Sequence, residues 1–209
     1  MKDSASRLIR KTHSIKGVDA AFYTVGRIWF PLFLIVLVPA IIAGLLIFHG
    51  ILPGDDFFRP VMEKLSPKIL GVAVLLCVIR YAVNRQAIFI WLFCLALTLL
   101  GREFHFRGSG TGVYFVLAFL FYMAWRKYDH LGEYFANGRF VTLLALVFFL
   151  YFLSTSLDRS MWRFLPHRRV WSSPLEEAIE AVGHIVLCLT ILLAKPSENP
   201  LLKRAGSAG

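Results

Sequence analysis

Cysteine is scarce in this chain. The three present, Cys77, Cys94 and Cys188, all fall inside apolar runs. Small buried hydrophobes account for them, so neither a disulfide framework nor a zinc–thiolate site is expected. Signature motifs are missing as well. There is no HExxH, no GxSxG, no phosphate-binding GxxxxGK and no GxGxxG, which removes the sequence arguments for the usual zinc protease, serine hydrolase and nucleotide-binding folds. No internal repeat is visible, so an inverted-repeat transporter has no support at this level. Amphipathic periodicity is rare, because the apolar residues come in blocks, and that argues against an ordinary soluble domain. A cleavable signal peptide is not expected either. The first apolar run starts late and is too long for such a segment, and it reads instead as a retained signal-anchor helix.

What is present is apolar and aromatic residues. The chain is 57% hydrophobic and contains 19 Phe. An apolar stretch of about 20 residues crosses a bilayer as a helix, because the backbone must satisfy its own hydrogen bonds there. Six segments fit: 28–51, 67–83, 87–101, 112–125, 140–157 and 175–194. The second to fourth are short and need flanking aromatic or snorkelling residues to complete a span. The predicted fold is an all-α polytopic membrane protein, with six transmembrane helices in a single bundle over 28–194. A basic cytoplasmic segment precedes it at 1–27, and a disordered cytoplasmic tail follows at 195–209.

A net charge of +10 raises the question of nucleic acid. The basic residues lie in loops between apolar blocks, so nucleic acid is rejected and the lipid bilayer is the expected partner. With six spans, 14 of the 23 Lys and Arg fall on the side of the N-terminus and nine on the other. The positive-inside rule then predicts both termini in the cytoplasm, in a plasma or inner membrane.

Local signals fill in the organisation. Ile15, Val18, Phe22 and Val25 recur at helical spacing and predict a short surface helix. Pro39 interrupts the donor series of the first segment. The stretch Leu52-Pro53-Gly54-Asp55-Asp56 reads as a turn. Phe57, Phe58, Met62 and Leu65 after it read as a separate interfacial helix. The tight Asn84-Arg85-Gln86 link predicts an antiparallel hairpin, and 126–139 reads as a solvated connector.

Four ionisable residues form the best functional clue. At about 100° per residue, Glu176, Glu177, Glu180 and His184 fall within an arc of roughly 100° on the sixth segment. Ser173-Pro174-Leu175-Glu176 matches a capping box with Pro at the first helical position, which explains Glu176 structurally, and the helix dipole favours Glu177. Neither argument reaches Glu180 and His184. Their i, i+4 spacing puts both on one face, able to share a metal or a proton. Leu187 and Ile191 continue that face, so the polar stripe ends at His184.

A second cluster closes the third segment. From Glu103 to Arg107 the residues alternate, with Glu103, His105 and Arg107 on one side and Phe104 and Phe106 on the other. Alternation predicts an extended chain. Asp158-Arg159 ends the fifth segment, and the loop beyond carries Trp162, Arg163, His167, Arg168, Arg169 and Trp171. Arg and Trp at a membrane surface suit headgroups, and Arg suits phosphate in particular.

All these groups fall at the non-cytoplasmic ends of their segments. Glu103, His105, Glu180 and His184 are the expected acid/base groups, and with Glu177 and Asp158 the expected metal ligands. The ion would be zinc, iron or manganese. Arg107, Arg159, Arg168 and Arg169 are the expected contacts to an anionic lipid headgroup or substrate. The leading expectation is a membrane-embedded, metal-assisted hydrolase or transferase acting on a lipid or lipid-linked substrate. Two rivals are a proton-coupled small-molecule transporter and a non-catalytic membrane subunit or assembly factor. A haem site on His105 and His184 lacks the further paired His residues that would favour it.

Overall fold

The computed structural model describes residues 28–51, 58–104, 109–158 and 168–196, together with Gly26 and Met161. The predicted surface helix over 15–25 and most of the C-terminal tail lie outside these residues. Among them the chain is entirely helical, with seven helices and no strand. They are α1 (Pro31–Phe48), α2 (Phe58–Asn84), α3 (Ala87–Glu103), α4 (Ser109–Arg126), α5 (Tyr128–Phe135), α6 (Gly138–Asp158) and α7 (Arg168–Leu193). Each of the six apolar segments coincides with one helix, and α5 is additional.

Three helices depart from the expected boundaries. α2 is one continuous helix of 27 residues with Pro67 inside it. Phe58, Met62 and Leu65, expected in a separate interfacial helix, belong to its first turns, where Ser66 is fully buried, and Phe57 lies outside the described residues. α7 begins at Arg168 and carries Pro174 in its interior. The capping-box reading is therefore overturned, and neither Glu176 nor Glu177 lies in a first turn. Pro174 removes one backbone donor, yet it and Ser172 are buried, so packing holds the preceding turn in helical form. The connector at 126–139 folds as α5 rather than as a solvated loop. Its Leu131 and Tyr134 are buried. Tyr134 packs edge-on against Phe89 and Phe140, and Phe135 against Trp91.

Long-range contacts fix the direction of each helix. The backbone N–H of Trp29, before α1, donates to Thr142 Oγ1 near the start of α6. Arg80 Nη2, late in α2, donates to the Ala194 carbonyl just past α7 at 2.6 Å. This guanidinium satisfies a carbonyl left open by the end of the helix, and it lies 4.9 Å from the Phe89 ring centroid. Asn137 does two things. Its Oδ1 accepts the N–H groups of Arg139 and Phe140 and caps α6, and its Nδ2 donates to the Lys195 carbonyl. The expected hairpin forms between α2 and α3, with Arg85 in the left-handed region at φ 53°. Trp91 Nε1, early in α3, donates to the Leu120 carbonyl, late in α4. Successive long helices thus alternate in direction. One end of the bundle gathers the starts of α1, α3 and α6, the ends of α2 and α7, and α5.

α7 is the central element. It packs most extensively on α6 and α2, and it also meets α1 and α3. Its buried face includes Ile179, Ala181, Leu187 and Ile191, while Ile185, Leu189, Leu192 and Leu193 point outward. Gly44 of α1 sits so close to α7 that a Cβ there would stand 3.3 Å from Leu175.

Two helical stretches, Pro60–Asn84 and Gly138–Leu157, are long and apolar enough to cross a membrane, and Pro31–Ile47 and Gly112–Arg126 are shorter apolar helices. Composition and length alone go no further than that. The two long stretches differ in surroundings. Only 22% of the most apolar window of the first is buried inside the protein, against 61% for the second. A soluble core helix would resemble the second, whereas the first turns an apolar surface outward.

Candidate functional site

Three helices build one buried polar cluster between apolar layers. Antiparallel packing sets the level. Glu103 lies about 24 Å along α3 from its start, Tyr151 about 20 Å along α6, and Glu180 about 20 Å from the end of α7, at 1.5 Å per residue. Those three reference points share one end of the bundle, so the residues meet at a common depth.

Glu103, Glu180 and His184 each turn a ligand atom toward the others, and these atoms all lie within 4.8 Å of one another. His184 Nε2 is 3.6 Å from Glu103 Oε1, and Arg102 Nη2 is 3.0 Å from Glu180 Oε1. The Arg102–Glu180 ion pair and the Glu103–His184 contact therefore run between neighbouring residues of α3 and a single face of α7. α3 and α7 approach each other only along a short stretch, so these side chains form a large part of what joins them.

Burial differs across the cluster. The His184 ring is 0% exposed and the Glu180 side chain 9%, whereas Arg102 retains 24%. The cluster is closed on the His184 side and opens past Arg102. Below it, Leu187 and Ile191 are fully buried, so the polar stripe ends where the sequence predicts.

Neither ring nitrogen of His184 has a hydrogen-bond partner. An imidazolium needs an acceptor at both nitrogens. Here there is one carboxylate beyond hydrogen-bond length, which fits a neutral ring with a lone pair available. Tyr151 packs beside it, with ring centroids 5.5 Å apart. The Arg102 guanidinium carbon lies 5.8 Å from the Tyr151 ring centroid. Gly183 makes room for this ring, since a Cβ there would already touch Tyr151 and Leu150 at 3.6 Å.

The donor set suits a divalent ion. Zinc binds carboxylate oxygen and imidazole nitrogen at about 2.0–2.2 Å, so neighbouring ligands of one ion stand about 3.5 Å apart. Side-chain movement on the order of 1 Å would bring these three atoms to that spacing around an ion. Three protein ligands leave a further coordination position for water or substrate, the arrangement of catalytic rather than structural sites.

The expected site residues separate into three groups. Glu103, Glu180 and His184 come together. Glu103 does so from the last residue of a helix, not from an extended strand, because α3 continues through it. Glu177 is half-buried one turn away on α7 and is outside the three-residue group. Asp158 ends α6, and Arg168 and Arg169 begin α7, but their side chains lie outside the described residues. His105, Arg107 and Arg159 also lie outside the described residues. Sequence reasoning missed Arg102 and Tyr151. A charged residue in the last turn of an apolar helix, and a lone Tyr amid Phe148, Phe149 and Phe152, were the signals available for them.

Comparison with models of protein families, with curated proteins and with solved structures returned no match.

Proposed function

We propose that this protein is an integral membrane enzyme with six spans and both termini in the cytoplasm of a plasma or inner membrane. Its reaction is a metal-assisted hydrolysis or group transfer on a lipid or lipid-linked substrate. One observation carries the reading: two carboxylates and a buried imidazole from two helices converge within 4.8 Å. Ionisable groups at this depth of an apolar bundle are costly unless they serve a ligand or a partner. The alternation of the six long helices supports six spans. So does the apolar surface turned outward by Leu34, Val38 and Ile41 of α1, Val72, Leu75 and Ile79 of α2, and Phe115 and Phe119 of α4.

In this reading Glu103, Glu180 and His184 hold zinc, iron or manganese. The ion polarises the reacting bond or activates a water. Arg102, ion-paired to Glu180 and partly exposed, stands at the entrance. Arg107, Arg159, Arg168 and Arg169 would meet an anionic headgroup at the membrane surface.

A second reading is favoured by the same ion pair and the contact beside it. Arg102–Glu180 and Glu103–His184 would serve as a clasp between α3 and α7 in a non-catalytic subunit. Reconstitution separates the two. The purified protein is placed in bilayers of mixed lipids with Zn²⁺, Mn²⁺ or Fe²⁺, and the lipids are followed by mass spectrometry. The enzyme reading expects a new lipid product that disappears with chelator and in Glu180→Gln. An unchanged lipid profile with every ion leaves the clasp as the function of the cluster.

A further inference from the structure

Tyr151 has a hydroxyl that the packing of α6 does not explain. Its neighbours in sequence, Phe148, Phe149 and Phe152, carry rings without a polar atom, and all three are more exposed than Tyr151. Tyr151 is only 8% exposed, and its hydroxyl oxygen is buried with no hydrogen-bond partner. A buried hydroxyl without a partner costs about 1–3 kcal/mol relative to one that is satisfied. Phe would avoid that cost in the same space.

Among the described residues, the ring's polar neighbours His184 and Arg102 belong to the site. The ring lies against His184 and Gly183 on α7 and beneath the Arg102 guanidinium. The ring therefore stands beside one proposed ligand, and its hydroxyl bonds to neither carboxylate. Those carboxylates supply acceptors. Among the described residues, the Tyr151 O–H and the Arg102 N–H groups are donors beside them.

We propose that the Tyr151 hydroxyl donates a hydrogen bond to an oxyanion bound at the open coordination position of this site, with Arg102 as the second donor. The inference rests on the metal-binding reading above and adds to it the class of ligand: a group presenting a negatively charged oxygen, as phosphate does. No proton changes hands in this contact. The phenol keeps its proton and supplies a fixed dipole where charge develops, as an oxyanion hole does.

The test uses the full chain in detergent or bilayer, loaded with Co²⁺ so that visible absorption reports the metal's surroundings. Inorganic phosphate is the probe. Co²⁺ affinity and phosphate affinity are measured for the native chain and for Tyr151→Phe. We expect one Co²⁺ per chain, with the two affinities for Co²⁺ within about threefold. Phosphate should bind about tenfold or more weakly to the variant, the loss expected for one hydrogen bond to a charged group. Metal-free Tyr151→Phe should unfold at the same or a higher temperature, because only an unsatisfied hydroxyl is removed. Co²⁺ bound equally, with phosphate absent from both proteins or equally tight in both, overturns the role of Tyr151 and leaves the metal ligands standing. No stoichiometric Co²⁺ in the native chain removes the metal reading and this inference with it.

Discussion

His184 Nε2 on α7 faces Glu103 Oε1 on α3 across 3.6 Å, and the imidazole is completely shielded from solvent. The distance is too long for a hydrogen bond and close to the spacing of two ligands on one ion. One helical turn earlier, Glu180 receives Arg102 at 3.0 Å. Two adjacent residues at the end of α3 thus address two positions, i and i+4, on α7. That register is set by the end of α3 at Glu103 and by the face of α7 turned toward it.

Substitutions at these two positions should differ in kind. Glu180→Gln nearly preserves shape, and Arg102 is exposed enough to be hydrated. The variant should fold and lose at least about tenfold in metal affinity. His184→Ala opens a cavity in a fully buried position and should cost about 2–4 kcal/mol as well as the metal. Thermal unfolding in detergent alongside metal titration checks both. A Glu180→Gln protein that binds metal as tightly as the native chain would remove Glu180 from the ligand set.

Asn137 joins the start of α6 to the segment after α7 by capping the one and bonding the Lys195 carbonyl of the other. Asn137→Ala should therefore cost about 1–2 kcal/mol, the usual loss for an N-cap with an added tertiary bond. The expected result is a melting temperature lowered by a few degrees with metal affinity unchanged, since the site lies far along the bundle. Unaltered melting would show that the cap is replaced by water.

The proposed six-span topology has its own test. Lys127→Cys and Gly206→Cys should react with a membrane-impermeant thiol reagent from the cytoplasmic side, and Gly108→Cys from the opposite side. The native cysteines are buried or half-buried and provide a low background. Labelling of Lys127→Cys and Gly108→Cys from the same side contradicts six spans.

Much of the helical framework was legible in the sequence, because blocks of apolar residues leave the backbone few alternatives. Helix beginnings were harder to read. Pro174 beside Ser173 imitates a start signal, yet burial of Ser172 and Pro174 keeps the preceding turn in the helix. At α2 the expected segment began at 67, whereas the helix runs unbroken through Pro67 from Phe58. α5 was hidden because its short amphipathic pattern sits among charges, and only docking on Phe89, Trp91 and Phe140 reveals its purpose. In the site, Glu180 and His184 stood out because no local rule explained them. Glu103 was visible as a residue but not as helical. Tyr151 was invisible because one hydroxyl among many aromatic rings carries no periodic signal; only its place beside His184 distinguishes it.

The first turn of α7 tests the surface part of the account. Arg168 and Arg169 begin this helix, on the side that the positive-inside count leaves poor in basic residues. Arg168→Ala combined with Arg169→Ala should weaken binding to vesicles of anionic lipid by about 2 kcal/mol or less, near 1 kcal/mol for each basic residue at a charged surface. Binding to neutral vesicles should be unaffected. Equal binding of native and variant protein to anionic vesicles would reduce the two residues to interfacial anchors.

The central claim is that Glu103, Glu180 and His184 form a metal site. Elemental analysis tests it most directly, on protein purified without chelator, saturated in turn with zinc, iron and manganese, and then desalted. One ion per chain is expected in the native protein, lost in both Glu103→Gln and His184→Ala while each remains folded. A folded native protein that retains no ion, or variants that retain as much as the native chain, would contradict it.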